Sequence, residues 1–401
     1  MTDFFEKFTV ANLMDLRAKF ISKVHAKYPQ LPSIIFLICF AIYLSGMFIK
    51  GTTMPGYLIS QRLIFLIIAI PTFFVILKIL FFDDHSLIEL TAFGLLECVL
   101  FNIGYHAGDF SLFYFVPFIY GAKNVDYRSI LKVFIAVNLV GIGISIILAL
   151  TGVIRNYEGV RSLYSPVTRY ALGAVYPTDF AARGFCILMA YAALRRFKFS
   201  LPEYISFVAV TIWFYIITDT RLDLMLMLLL LLMIIFYNKE AKVLSNIPNQ
   251  LMTLLMYIYM GVIFLLGFAY HPGNKFLEII NHLLSGRLTF ESLTVQRYNV
   301  QLFGQFINQP GGGAFYIDSV FFRTLFMYGI VVFFMFLIFI IAMNKKILSK
   351  KAFCLELCFI LFFLSGAIDQ HFWDSSYNFS LLALYANILP FADGIQENNK
   401  F

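Results

Sequence analysis

Between Leu224 and Phe236 the chain carries no charged or hydrogen-bonding side chain, and apolar residues do not alternate with polar ones. Such a run has neither the wet face of an amphipathic strand nor the polar stripe of a helix on a soluble surface. Similar runs recur along all 401 residues, which are 61% hydrophobic and only 13% charged. The charged share is half of the roughly 25% usual for soluble proteins. Soluble domains on this scale need charged surfaces that these residues cannot supply. Disorder is excluded for the same reason. In hydrocarbon every backbone N–H and C=O must be satisfied within the protein, so only helices or a closed barrel remain. Continuous apolar runs select helices. The expected fold is an all-α polytopic integral membrane protein, a single domain over residues 1–401.

With about 20 residues needed per crossing, the pattern predicts about twelve spans. They fall at roughly 33–49, 63–82, 88–106, 110–121, 130–151, 179–195, 202–218, 222–237, 250–270, 320–343, 352–370 and 378–394. The fourth is short and carries Pro117. Residues 1–32 hold Lys7, Arg17, Lys19, Lys23 and Lys27 ahead of the first span, with no cleavable signal and a weak apolar face (Phe8, Leu13, Leu16, Phe20). They read as a cytoplasmic segment lying on the membrane surface. Twelve spans then put both termini in the cytoplasm. The short loops after spans four, six, eight and ten become cytoplasmic and carry Lys123, Arg128, Arg195, Arg196, Lys198, Lys239, Lys242, Lys345, Lys346, Lys350 and Lys351, as the positive-inside rule requires. That rule accounts for the net charge of +7 without a nucleic-acid partner. The five cysteines all sit in apolar runs and read as packed thiols.

Two outer connections are long: a first external loop over 152–179 and a second over 271–319 before span ten. The second shows helical spacing at Phe276, Ile279, Ile280, Leu283 and Leu284, a stop at Ser285–Gly286, and a further amphipathic stretch from Leu288 to Phe303. Two short helices lying over the outer face are expected, and loops of this size are commonly functional. The basic residues divide unevenly across the two faces. The inner face has about fifteen Lys and four Arg. The outer face has only Lys50 and Lys275 but nine Arg: Arg62, Arg155, Arg161, Arg169, Arg183, Arg221, Arg287, Arg297 and Arg323. Topology signalling treats Lys and Arg alike and cannot produce this split. The guanidinium fork grips phosphate in a bidentate way, so an external cationic cavity for a phosphorylated, lipid-linked substrate is expected.

Local acids offer ion pairs: Asp219 and Asp223 flank Arg221, Asp179 precedes Arg183 by a turn, Asp318 precedes Arg323, and Glu291 follows Arg287 at i+4. Asp369 and His371 close span eleven, and Glu97 is the one good acidic candidate at mid-membrane, weak support for a proton-coupled carrier. No phosphate-cradling Gly-rich loop, His-Glu-x-x-His or Gly-x-Ser-x-Gly is present, and six scattered histidines form no metal cluster. External tyrosines, among them Tyr157, Tyr164, Tyr170, Tyr176, Tyr298 and Tyr316, are candidates to stack on sugar rings.

The stretch Leu284-Ser285-Gly286-Arg287-Leu288, then Tyr298 and Leu302-Phe303-Gly304-Gln305, resembles the long external loop of Wzy-type polysaccharide repeat-unit polymerases, most of all those of Gram-positive capsule and exopolysaccharide systems. Asp318-Ser319 through Arg323 and Tyr328-Gly329 resembles that family's loop-to-helix signature. Thr218-Asp219-Thr220-Arg221 resembles its Ser-x-Ser-Arg element, and Arg169 through Gly173, Pro177 and Gly184 its Gly-x-x-His-Pro-Asn region. The likeness covers the C-terminal half; the first 150 residues match in topology alone. Tyr176-Pro177-Thr178 stands where the family has His-Pro-Asn, and Ser319 where it has Asn. Related O-antigen ligases tend to carry a His-Asn pair where Asp318-Ser319 stands here. The resemblance implies a fold similar to the GT-C-like O-antigen polymerase and ligase superfamily. It implies an enzyme that lengthens an undecaprenyl-diphosphate-linked oligosaccharide at the outer face of the cytoplasmic membrane. Its partners would be membrane lipid and a chain-length regulator, with no cofactor and no metal. Asp318 would be the general base, with Asp369 and His371 as a competing pair. Arg183, Arg221 and Arg287, then Arg169, Arg297 and Arg323, would hold pyrophosphate, and Tyr298 and Tyr176 would meet sugar. A ligase-like glycosyltransferase and a lipid-linked oligosaccharide flippase or other transporter remain the alternatives.

Overall fold

The computed structural model describes residues 10–162, 165–310 and 315–394. Lys7, Phe8 and Tyr164, and the side chains of Leu13 and Arg161, lie outside the described residues. The chain is an all-α polytopic membrane protein. After α1 (Val10–Lys27) come α2 (Leu31–Lys50), α3 (Gln61–Phe81), α4 (Leu87–Ala107), α5 (Ser111–Gly121) and α6 (Tyr127–Leu150). A hairpin, β1 (Glu158–Ser162) and β2 (Ser165–Tyr170), leads to α7 (Pro177–Leu194), α8 (Leu201–Thr218), α9 (Arg221–Ile235), α10 (Tyr237–Leu244) and α11 (Asn249–Ala269). Then follow α12 (Lys275–Leu283), α13 (Arg287–Arg297), α14 (Gly329–Ser349) and α15 (Phe353–Ser365). Seven of the described helices, α2, α3, α4, α6, α8, α11 and α14, are long and apolar enough to cross a bilayer, and α9 with α10 forms a pair bent by 82°.

Eleven of the twelve expected segments are helical within a few residues, although α5 is only 11 residues long, about 16 Å. The twelfth is not a helix. Residues 378–394 form two 3-10 turns, Ser380–Leu384 and Leu389–Phe391, in an otherwise irregular chain. The segment nevertheless runs the length of α7. His371 lies beside Asp179 at the start of α7, and Asp393 lies beside Arg196 just past its end. Irregular backbone at membrane depth is tolerated only when protein surrounds it, and Tyr377 to Ala383 are all buried. Its polar groups are satisfied locally. Asp374 accepts from the Ser376 N–H and Oγ–H at 2.8 and 2.7 Å, and Asn378 accepts from those of Ser380 at 2.9 and 2.6 Å while donating to the Phe372 carbonyl. Such Asx turns compete with helix. Lys346 closes the far end by donating to the Leu384 and Ala386 carbonyls, both at 2.7 Å.

The core centres on α7 and α15, buried along nearly their whole lengths. Small residues let α7 sit there: Ala181, Ala182, Ala190, Ala192 and Ala193 are buried, and a Cβ on Gly184 would overlap Phe214 of α8. Glu356 of α15 is fully buried without a hydrogen-bond partner, because α15 is enclosed by other helices. Both long loops fold over one end of the bundle, and the second forms α12 and α13 as the spacing predicts. The break between them falls at Ser285 (φ 54°) and Gly286 (φ 87°). The helix expected from Leu288 to Phe303 stops at Arg297. Residues 301–305 instead bond to the start of α14, where the Gln305 N–H donates to the Met327 carbonyl and the Ile330 N–H to that of Gln301. This approach requires two glycines at positive φ, since a Cβ on Gly304 would collide with the Met327 carbonyl and one on Gly329 with the Gly304 backbone.

Candidate functional site

The loop-covered end holds two adjoining cavities of about 790 and 490 Å³. Their shared wall is built from Thr178, Asp179, Arg287, Asp318, Gln370 and His371. Four separate stretches of sequence supply these residues, so the wall exists only in the folded bundle.

Asp179 sits at the third position of α7, where its Oδ2 accepts from the Tyr176 N–H at 3.2 Å, a capping bond. Its other oxygen lies 3.4 Å from His371 Nε2, and Asp369 Oδ1 lies 3.4 Å from the same nitrogen. The imidazole is therefore held between two carboxylates. Burial alone would lower its pKa, but Asp369 and Asp179 outweigh burial and carry it up to about 9. At neutral pH His371 is an imidazolium. Asp369 itself is pushed up by burial, against the pull of His371.

Arg287 opens α13 directly after the left-handed Gly286, which turns its side chain back across the cavity. Its Nε donates to the Ile368 carbonyl at 3.1 Å and lies 3.4 Å from Asp318 Oδ2. Burial raises the Asp318 carboxyl, Arg287 opposes this, and the balance stands at about 6. Asp318 is thus ionised at neutral pH yet close to its titration point, as a proton acceptor requires. Arg221, first residue of α9, lines the larger cavity and makes no hydrogen bond or ion pair among the described residues. Arg169, from β2, lines it too and donates from Nε to the Thr218 carbonyl at 2.7 Å.

The smaller cavity is organised around Arg323, in a π-helical turn (Arg323–Met327) ahead of α14. Its Nη1 donates to Gln370 Oε1 at 2.8 Å and its Nη2 lies 3.8 Å from Asp109 Oδ2. Tyr316 also donates to Gln370, and Tyr328 to Asp109 at 2.7 Å. Burial would raise Asp109, but Lys50 and Arg323 bring it down to about 2. Tyr176 lines this cavity as well.

Several expected residues lie elsewhere. Arg183 is 1% exposed and lines neither cavity; it is packed between the rings of Phe48 and Tyr377. Arg297 is exposed and stacks over Phe315, and Tyr298 stacks on the same ring; neither lines a cavity. The pairs expected from local sequence are exchanged across the fold: Asp179 meets His371 rather than Arg183, and Asp318 meets Arg287 rather than Arg323. The larger cavity is also not simply cationic, since Asp179, Asp223, Asp318 and Asp369 face Arg169, Arg221 and Arg287. Gln370 and Tyr377 escaped the sequence reading. Gln370 has only its place between Asp369 and His371 as a signal, and Tyr377 has none. Among the described residues no group of three or more His, Cys, Asp or Glu is placed to hold a metal.

Fold and site together define a membrane-embedded protein with an acid–base and guanidinium cluster recessed at one end of its helical bundle. No family model, no curated protein and no solved structure matches the chain.

Proposed function

We propose that the protein is a membrane glycosyltransferase that joins undecaprenyl-diphosphate-linked oligosaccharide repeat units into a surface polysaccharide, at the outer face of the cytoplasmic membrane. The observation that carries this reading is the shared wall: a carboxylate poised near pH 6, a guanidinium 3.4 Å from it and an imidazolium, between two adjoining cavities. Glycosyl transfer from a lipid diphosphate needs those three elements. Asp318 takes the proton of an acceptor hydroxyl as that oxygen bonds to the anomeric carbon of the donor sugar. The bond from that carbon to the diphosphate breaks, and the diphosphate leaves with the electron pair. Arg287, Arg221 and Arg169 meet the negative charge that develops. His371, charged and paired to Asp179 and Asp369, acts as a cation and proton donor; the base role stays with Asp318. Two cavities suit a reaction whose donor and acceptor are both lipid-linked chains. The rim of the larger one carries Met225 and Leu283, 63% and 66% exposed, an apolar margin for a polyprenyl tail.

The same reading takes the bundle as about twelve crossings, similar to the GT-C-like O-antigen polymerases and ligases. Residues 378–394 are the last crossing, and both termini are cytoplasmic. A chain-length regulator would be a partner. The test is lengthening of lipid-linked repeat units by the purified protein in liposomes, followed as a ladder on gels. A ladder in the wild type, lost about 100-fold or more in Asp318→Asn, is expected. Full lengthening by that variant removes Asp318 from the chemistry. Transfer of one block to a different acceptor without a ladder identifies a ligase, and movement of substrate across the bilayer without new glycosidic bonds identifies a transporter.

A further inference from the structure

Arg183 is a buried cation with no carboxylate within 4 Å among the described residues. Its Nη2 makes a long bond, 3.4 Å, to the Phe48 carbonyl, and its Nε and Nη1 have no partner. Leaving a charge in that state is costly unless something else requires it. What surrounds it is aromatic. The guanidinium carbon lies 4.2 Å from the ring centre of Phe48 and 4.4 Å from that of Tyr377. Tyr377 in turn stacks on His371, with centroids 3.6 Å apart and planes within 7°. Phe48, Arg183, Tyr377 and His371 thus form one column from the interior of α2 and α7 to the cavity wall. Gly51 leaves space for it, since a Cβ there would collide with the guanidinium. A planar cation between two rings is the arrangement that cation–π attraction favours, about 2 kcal/mol or more when desolvated.

We propose that Arg183 and Tyr377 are positioning residues for His371. The guanidinium clamps the Tyr377 ring, and that ring fixes the imidazole plane so that Nε2 stays between Asp179 and Asp369. The groups facing His371 are Asp369 and Asp374 from its own segment, Asp179 from α7, Asp223 from α9, Arg287 from α13 and Asp318 ahead of α14. The inference rests on the transferase reading for its rate consequences but not for its geometry.

The experiment therefore uses two readouts on the full-length protein: carbethoxylation of His371 by diethylpyrocarbonate at pH 7, followed by peptide mass spectrometry, and kcat and KM of repeat-unit lengthening. The reagent attacks neutral imidazole, so a histidine held charged between carboxylates reacts slowly. Tyr377→Phe keeps the ring and is expected to label at the wild-type rate. Tyr377→Leu and Arg183→Met are expected to speed His371 labelling about tenfold and to lower kcat about 100-fold with KM within about twofold, the signature of a misplaced group. Arg183→Lys does not rescue, because an ammonium lacks the planar face. Phe48→Leu, a mild change remote from His371, speeds labelling about threefold and decides the matter if the other variants fail to give a monodisperse folded protein. Unchanged labelling in folded Arg183→Met or Phe48→Leu overturns the proposal. If the wild type shows no lengthening, the transferase reading fails while the labelling result still stands for or against the column.

Discussion

Replacing Arg287 by Met separates two effects that the same side chain exerts on the site. Its Nε stands 3.4 Å from Asp318 Oδ2, both side chains being partly exposed. At that distance and an effective dielectric of about 20, the attraction is about 5 kcal/mol, which water in an open cavity reduces to about 2. Removing the charge therefore moves the Asp318 carboxyl upward by about one and a half pH units, from about 6 in the wild type. The sign follows from the role. A base must be ionised, so activity rises with pH through the carboxyl pKa, and a higher pKa moves that limb to higher pH. At pH 7 the ionised fraction falls about fourfold, and by pH 8.5 it is restored. On the proposed reading, loss of the guanidinium contact to diphosphate, about 1.5–3 kcal/mol for a charged hydrogen bond, persists at every pH. The assay is the initial rate of lengthening in liposomes from pH 5 to 9.5. Arg287→Met is expected to show an acid limb shifted up, with a pH-independent deficit above it. Arg287→Lys keeps the limb near 6 and shows only a deficit. An unshifted limb in Arg287→Met, or one that moves down, refutes the coupling of Arg287 to Asp318.

Three further outcomes are expected. His371, raised from the ordinary 6.5 to about 9, contributes stability of about 3 kcal/mol that is fully present below pH 6.5 and lost as pH rises through 9. The melting temperature in detergent should fall across that window, and the fall should be absent in His371→Gln. Asn378→Ala removes an acceptor for the Ser380 N–H and hydroxyl and the donor to the Phe372 carbonyl. It should destabilise by about 2–4 kcal/mol, read as a lowered denaturation midpoint. Arg221 has no ion pair to lose among the described residues, so Arg221→Gln should leave the melting temperature unchanged while raising KM for lipid-linked substrate about tenfold.

The apolar runs made the helices legible because each crossing has to be continuous and long, and Ser285–Gly286 marked the break in the outer loop for a local steric reason. The segment 378–394 reads as a helix in sequence because its apolar residues, Leu381 to Leu384 among them, look like any other run. The contrary signal was the spacing of Asp374 before Ser376 and Asn378 before Ser380, two side chains that cap turns. The site divided in the same way. The enrichment of arginine at one end of the bundle pointed to Arg287, Arg221 and Arg169, whose places at helix and strand ends follow from local sequence. Partners did not follow. Which acid meets which cation depends on how α7, α13 and the 366–374 segment converge, and nothing in the spacing along one element reports that. Arg183 shows the limit: its composition-based assignment was to an anion, and the fold surrounds it with rings instead.

The irregular segment 378–394 has a consequence for how the molecule is made. Helical spans can enter the bilayer one at a time, because each satisfies its own backbone. Residues 378–394 cannot, since their carbonyls and amides are met by turns and by side chains such as Lys346 that belong to neighbouring helices. They have to be received by an assembled bundle. Asp369 and His371 stand just ahead of this segment, so half of the acid–base wall arrives only after α7, α13 and α14 are in place. A partly assembled molecule holds its arginines but not its proton-handling pair. On the proposed reading it is inert until this last segment of chain is seated.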